Sequence, residues 1–222
     1  MKLVHTDLES QFIFDGNINI LVVESGKVFR EYCDDIRLQT EGETGQFTLS
    51  DGDAVLNFAK YACFIPEYFT LDICDKKTIN KLYANLSGII DEKFNNEASL
   101  LSEKIFELFD KINSESDVPV EYDVSSPFES ILKAFGVRPQ NDFTTFIEKL
   151  ENYLNALVCL GGIKLFFFVN LRCFLSDIEY SEFCKYVRLS EINVFLLESS
   201  EKSKSEGEFI VIIDEDLCET VV

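Results

Sequence analysis

The sequence predicts an α/β fold: a head built on a buried parallel sheet, with a helical segment inserted into it. Three observations carry that prediction. Residues 163–169 read Ile-Lys-Leu-Phe-Phe-Phe-Val, an apolar run that suits a strand covered on both faces. Ser176-Asp-Ile-Glu179 follows as a capping box, in which a Ser oxygen and a Glu carboxylate each satisfy an orphan N–H of a starting helix, and Ile192-Asn-Val-Phe-Leu-Leu197 returns as a second strand. The stretch from Gly161 to Glu198 is therefore a βαβ unit. Between Ile79 and Leu160, by contrast, apolar residues recur every three or four positions, the period of amphipathic helices. The α/β head is expected over residues 1–70 and 161–222, and the helical leg over 71–160.

The remaining elements follow from local signals. Leu8 to Phe14 and Ile18 to Val23 read as strands joined by the turn Asp15-Gly16-Asn17. Lys27 to Leu38 reads as a helix, Glu41 to Gly45 as a polar loop, and Gln46 to Leu49 as a short strand. Tyr61 to Ile65 is an apolar strand stopped by Pro66. Three helical patterns come next: Ile79, Leu82, Leu86, Ile89 or Ile90 and Phe94; Leu101, Ile105, Leu108 and Ile112; and Phe143, Ile147, Leu150, Leu154, Leu157 and Leu160. Ser126-Pro127 opens a shorter helix, with Ser126 at the cap and Pro127 at the first position, and Gly136 and Pro139 end it. Glu208 to Ile213 is a late strand, preceded by the charged loop Ser199 to Gly207.

Composition narrows the function. The chain has 222 residues, 46% of them hydrophobic and 21 of them Phe, enough for a real core. Its net charge of −20 repels nucleic acid and anionic membranes, so a nucleic-acid partner would need a local basic lining or bridging cations. The seven cysteines include no Cys-x-x-Cys pair and are expected as buried, reduced thiols of a cytoplasmic protein. A single His, His5, argues against a zinc site and is expected at the surface or a strand edge. The longest apolar stretch, Leu154 to Leu171, is interrupted by Asn155, Lys164 and Asn170, so no membrane span is expected.

Chemistry is expected to be sparse. A phosphate-binding loop needs glycines whose N–H groups surround the phosphates, then a Lys and a hydroxyl. The only candidate, Leu21 to Val28 with Gly26-Lys27, has Leu21 in place of the first glycine and Val28 in place of the hydroxyl. Where nucleotide hydrolases of this build carry a metal-binding acid at a strand end, Asn170 stands instead. No catalytic residue is assigned and no nucleotide is expected. Glu121, Asp123 and Glu129 place three carboxylates within nine residues, a density that suits calcium. The competing reading makes Glu129 a capping-box partner in a helix first turn, where the dipole favours acids.

From Phe69 to its end the chain resembles the small type II-A CRISPR-associated adaptation proteins of the Csn2 family. The resemblance is carried by Phe69-Thr-Leu-Asp-Ile73, Thr78-Ile-Asn-Lys-Leu82, Glu121-Tyr-Asp123, Glu129-Ser-Ile-Leu-Lys-Ala-Phe-Gly-Val137 and Phe146-Ile-Glu-Lys149. It continues through Lys164-Leu-Phe-Phe-Phe-Val-Asn170, Phe174-Leu-Ser176, Val194-Phe-Leu-Leu-Glu198 and Ile213-Asp-Glu-Asp216. The first 60 residues match only in pattern. The resemblance implies an α/β fold with a degenerate P-loop-NTPase-like head and an inserted helical leg. It also implies a homotetrameric ring, stabilised by calcium, that threads onto double-stranded DNA ends without reading sequence. Such a ring would act in spacer acquisition beside the CRISPR integrase and RNA-guided nuclease of its locus, with no catalysis of its own. Glu121, Asp123 and Glu129 fall where the family carries acids associated with calcium, although Val124 stands where relatives often have another acid. Lys133, Arg138 and Lys149 fall where relatives are basic and are candidates for the DNA-facing lining. Two other classes compete: a protein-interaction scaffold without DNA affinity, and a nucleotide-dependent enzyme using unfamiliar residues.

Overall fold

A computed structural model describes residues 1–123 and 128–222. In chain order the elements are β1 (Lys2–His5), β2 (Phe12–Ile13), β3 (Ile18–Val23), α1 (Gly26–Glu41), β4 (Phe47–Asp51), β5 (Ala54–Val55), α2 (Phe58–Tyr61), β6 (Ala62–Ile65), α3 (Lys76–Lys93), α4 (Asn95–Glu115) and α5 (Glu129–Ala134). They continue with α6 (Phe146–Gly161), β7 (Leu165–Val169), α7 (Asp177–Leu189), β8 (Asn193–Glu198), β9 (Glu208–Ile213) and β10 (Glu219–Val221). Two compact units result. Residues Met1–Leu71 and Phe143–Val222 form the first, and Asp72–Asp142 the second. No helix among the described residues is long and apolar enough to cross a membrane.

The first unit is mixed α/β. Its large sheet runs in the order β10-β9-β3-β8-β7-β6, with β10 antiparallel to β9 and the other neighbours parallel. Alternation sends Phe166 and Phe168 of β7 to one face with Val194 and Leu196 of β8, and Leu165 and Phe167 to the other with Phe195 and Leu197. Helices α6 and α7 cover the first face through Leu150, Leu154, Phe183 and Val187. The second is covered by Tyr32 and Ile36 of α1 and by Leu3, Phe12, Phe47 and Leu49 of a small antiparallel sheet, order β2-β1-β4-β5.

Several expectations are corrected by this topology. The strands flanking the Gly16 turn enter different sheets rather than pairing: β3 is buried at every residue, which suits the middle of a parallel sheet. The helix expected in the leg, α6, lies in the α/β unit, with Ile147, Leu150 and Leu154 buried there. Strands β6 and β7 are parallel neighbours, and parallel neighbours need a crossover helix. That crossover is α6, opened by the Thr145/Glu148 capping box and closed by Gly162 at φ 67°, where a glycine relieves the left-handed strain. The helical unit is thus an insertion between β6 and its own crossover. Residues 199–207 form a further crossover, this one without a helix, since β8 and β9 lie parallel on either side of β3. Arg172 and Arg188 hold this strap by donating to the carbonyls of Ser203 (2.7 Å) and Glu206 (3.4 Å).

His5 is buried rather than at a surface or strand edge. It stacks near Tyr32 and Phe47, and burial pushes its pKa down although Asp7 and Asp35 pull it up. Among the described residues no disulfide forms, yet only Cys184 is fully buried; Cys159, Cys173 and Cys218 are exposed at a helix flank and in turns. The Ser126 cap and the Pro127 position lie outside the described residues, and the described helix there begins at Glu129.

Candidate functional site

The end of β3 is where a phosphate cradle would sit. Only Glu24 and Ser25 separate β3 from α1. The Glu24 N–H donates to the Ile213 carbonyl (3.0 Å), and the Ser25 side chain makes no cap bond. A P-loop needs several convergent backbone N–H groups, and two residues with one N–H already engaged do not build it. Lys27 lies 3.7 Å from Glu31 across one exposed helical turn, an ordinary surface pair.

At the end of β7, Asn170 adopts the left-handed conformation (φ 53°, ψ 33°) that Asn tolerates better than most residues. Its N–H donates to the Leu197 carbonyl (2.8 Å), and its side-chain oxygen accepts from the N–H (2.8 Å) and hydroxyl (2.9 Å) of Ser199. The amide therefore ties the ends of β7 and β8 together. Asn170→Gly should keep the backbone geometry and lose the Ser199 bonds, costing about 1–2 kcal/mol. Asn170→Ala should cost about 1 kcal/mol more, because it adds left-handed strain. Urea unfolding curves compare the two, and equal midpoints would contradict the strain argument.

Glu198 ends β8 at 1% exposure. One carboxylate oxygen accepts from the Arg172 N–H (3.1 Å), while the other has no hydrogen-bond partner. Burial raises its pKa to about 7 against the pull of the Arg172 N–H and guanidinium and of Lys202. The Arg172 guanidinium lies over the Tyr180 ring, 4.5 Å from its centroid, and 3.7 Å from the buried Glu208, to which the Tyr180 hydroxyl also donates. A cavity of about 610 Å³ between α7 and the strap is lined by Arg172, Tyr180, Cys184, Lys185 and Arg188. Its two arginines are the strap's tethers, so the polar network here is first of all structural.

The three candidate calcium ligands are not brought together. Glu121 and Asp123 are exposed and flank Tyr122, whose hydroxyl donates to Asp110 and whose ring packs on Phe106 and Phe109. Glu129, the first residue of α5, instead receives the Lys133 ammonium at 2.6 Å. Calcium takes six to eight oxygens. Among the described residues of one chain, no group of three His, Cys, Asp or Glu side chains is placed to hold a metal ion.

The candidate DNA-facing cations are divided between the two units. Lys133 is paired with Glu129 and sits 5.9 Å from the Tyr83 ring centroid. Arg138 is exposed after α5, in the helical unit. Lys149 is half-buried on α6, in the α/β unit. The i,i+4 spacing of Glu129 and Lys133 was a readable sign of their pairing. Sequence reasoning passed over the lysines in the first two turns of α3, Lys76, Lys77 and Lys81.

Two solved structures are similar to the chain at low identity. One, a bacterial Atm1-family ABC exporter with ATP bound, is 10% identical with a TM-score of 0.43; the alignment covers 92% of this chain and 33% of the exporter. The other, a putative ABC transporter ATP-binding protein from Pyrococcus furiosus, is 11% identical with a TM-score of 0.40, over 95% of this chain and 97% of its own. The chain thus spans about a third of the exporter's length. A family model described as CRISPR-associated protein (Cas_Csn2) matches residues 39–217, most of both units. The chain belongs to the Cas_Csn2 family of CRISPR-associated proteins, and its role lies in CRISPR adaptation.

Proposed function

We propose that this protein is a non-enzymatic DNA-end-binding ring: a homotetramer that encircles double-stranded DNA without reading sequence and serves spacer acquisition beside the locus's integrase and RNA-guided nuclease. The family match over residues 39–217 carries the reading. Two features support it. The β3–α1 connection is too short to cradle a nucleotide, and Asn170 ties strand ends where a catalytic acid would stand. In the helical unit, α4 buries none of its residues, leaving Leu101, Leu108 and Ile112 exposed at helical spacing, which favours self-assembly.

Binding of this kind is backbone-directed and steeply salt-dependent. Calcium enters the proposal at assembly, with ligands completed between chains, because one chain's described acids gather no three-acid site. Light scattering with calcium and with chelator tests this directly. The expected result is a tetramer that binds linear duplex with calcium and loses mass with chelator. A monomer under both conditions contradicts the ring. ATP turnover abolished by Lys27→Ala would restore the enzyme reading. A tetramer indifferent to duplex DNA would support the scaffold reading instead.

A further inference from the structure

We propose that the DNA backbone lies along the exposed face of α3, held by Lys76, Lys77 and Lys81; this rests on the DNA-binding reading above. The chain carries 40 acids against 20 cations, yet residues 76–90 hold three lysines and no acid. Six cations elsewhere are engaged within 4.0 Å of a carboxylate: Lys27 with Glu31, Arg37 with Glu41, Lys104 with Glu107, Lys133 with Glu129, Lys164 with Asp51 and Arg172 with Glu208. Others, such as Lys60, Lys111 and Lys149, are not so engaged among the described residues. Among the described residues, no such ion pair engages Lys76, Lys77 or Lys81.

The two acids just before α3 accept from backbone N–H groups, Asp72 in the preceding turn and Asp75 on α3 itself, where it also lies near the Lys77 charge. Asp72 accepts from the Cys74 N–H (2.8 Å), and Asp75 caps the helix by accepting from the N–H groups of Lys77 (2.7 Å) and Thr78 (3.1 Å). Some acids of the elements packed on α3 are engaged, Glu107 with Lys104 and Asp110 with Tyr122 on α4 and Glu129 with Lys133 on α5, while Glu97, Glu103 and Glu115 of α4 form no such pair among the described residues. Thr78 and Tyr83 are buried on the inner side of α3. Outside, Lys77 and Lys81 stand one turn apart on one face and lead to Ala84, Asn85 and Gly88, all exposed and uncharged. Small residues beyond the lysines let a bulky, regular polyanion approach closely. The lysines and these residues offer no large apolar anchor of the kind a protein partner's hot spot requires. The chemistry recognised is a row of phosphates.

The test is DNA affinity against salt for the full-length protein, comparing Lys76→Gln/Lys77→Gln/Lys81→Gln with Lys27→Gln/Lys104→Gln/Lys164→Gln. Both variants remove three positive charges, but the second removes lysines that are already ion-paired. Each lysine on a phosphate contributes about 0.9 to the slope of log K against log salt. The expected result is a slope lower by about 2–3 for the α3 variant and within about 0.5 of wild type for the other, with both retaining wild-type mass by light scattering. Unchanged slopes, or equal loss in both variants, would overturn the assignment. Loss of the assembled mass in the α3 variant would overturn it too, since the face would then be a contact between chains. If wild type fails to bind duplex at any salt, the DNA-binding reading falls first and this assignment with it.

Discussion

Glu198→Gln is expected to stabilise the protein at pH 8 by on the order of 3 kcal/mol and at pH 5 by less than about 1 kcal/mol. The carboxyl titrates near 4.5 when unfolded and at about 7 when folded, with burial as the main cause. The folded state therefore holds its proton over a window where the unfolded state has released it. Stability from this group is fully present below about pH 4.5 and is lost as pH rises through about 7. At pH 8 the wild type carries a buried carboxylate with one oxygen unpartnered, which the Arg172 N–H and guanidinium, Lys202 and the Leu171 backbone compensate only in part. Glutamine keeps the acceptor for Arg172 and cannot ionise. Chemical denaturation at the two pH values measures the difference, and an effect that is the same at both would show that the side chain's charge is not the issue.

Phe167→Ala is expected to cost about 3–5 kcal/mol, close to the whole stability of a marginal domain. Phe167 is fully buried in β7. Its ring stacks on Phe58 (5.4 Å between centroids) and meets Phe195 at 5.3 Å and Phe47 at 6.3 Å. Four elements, α2, β4, β7 and β8, thus share one aromatic contact, and alanine leaves a cavity that none of them can close alone. Phe174→Ala, at a position 48% exposed, serves as the comparison and should cost about 1 kcal/mol or less. A loss below about 1 kcal/mol at Phe167 would mean that the two packed faces of the sheet are not its main support.

The βαβ unit was legible because its signals are local. A run of Phe fixes β7, and the capping bonds of Ser176 and Glu179 form as their spacing requires. What escaped was set by topology. Nothing near Phe146 says that its helix serves as the crossover between β6 and β7; that follows only once those strands are neighbours. The Gly16 turn is a genuine turn, but turn chemistry does not say which sheet each flanking strand joins. Glu198 reads as one acid among many until the Arg172 backbone and the strap that begins at Ser199 bury it.

The candidate site divides the same way. The missing phosphate loop was visible as Leu21 and Val28, and the two-residue β3–α1 connection gives the physical reason. Glu129 and Lys133, one from each proposed set, pair with each other, and helical spacing already contained that pairing. The acid-free opening of α3 was equally readable, but it gains meaning only against a chain in which acids outnumber cations 40 to 20.

A closed ring would accept DNA only through a free end. The most direct measurement is retention by the calcium-assembled protein of one duplex in two forms, linear and covalently closed, at matched length and salt. A threaded ring should retain linear duplex and not closed circles, with retention restored when a circle is cut once. Equal retention of both forms would contradict it.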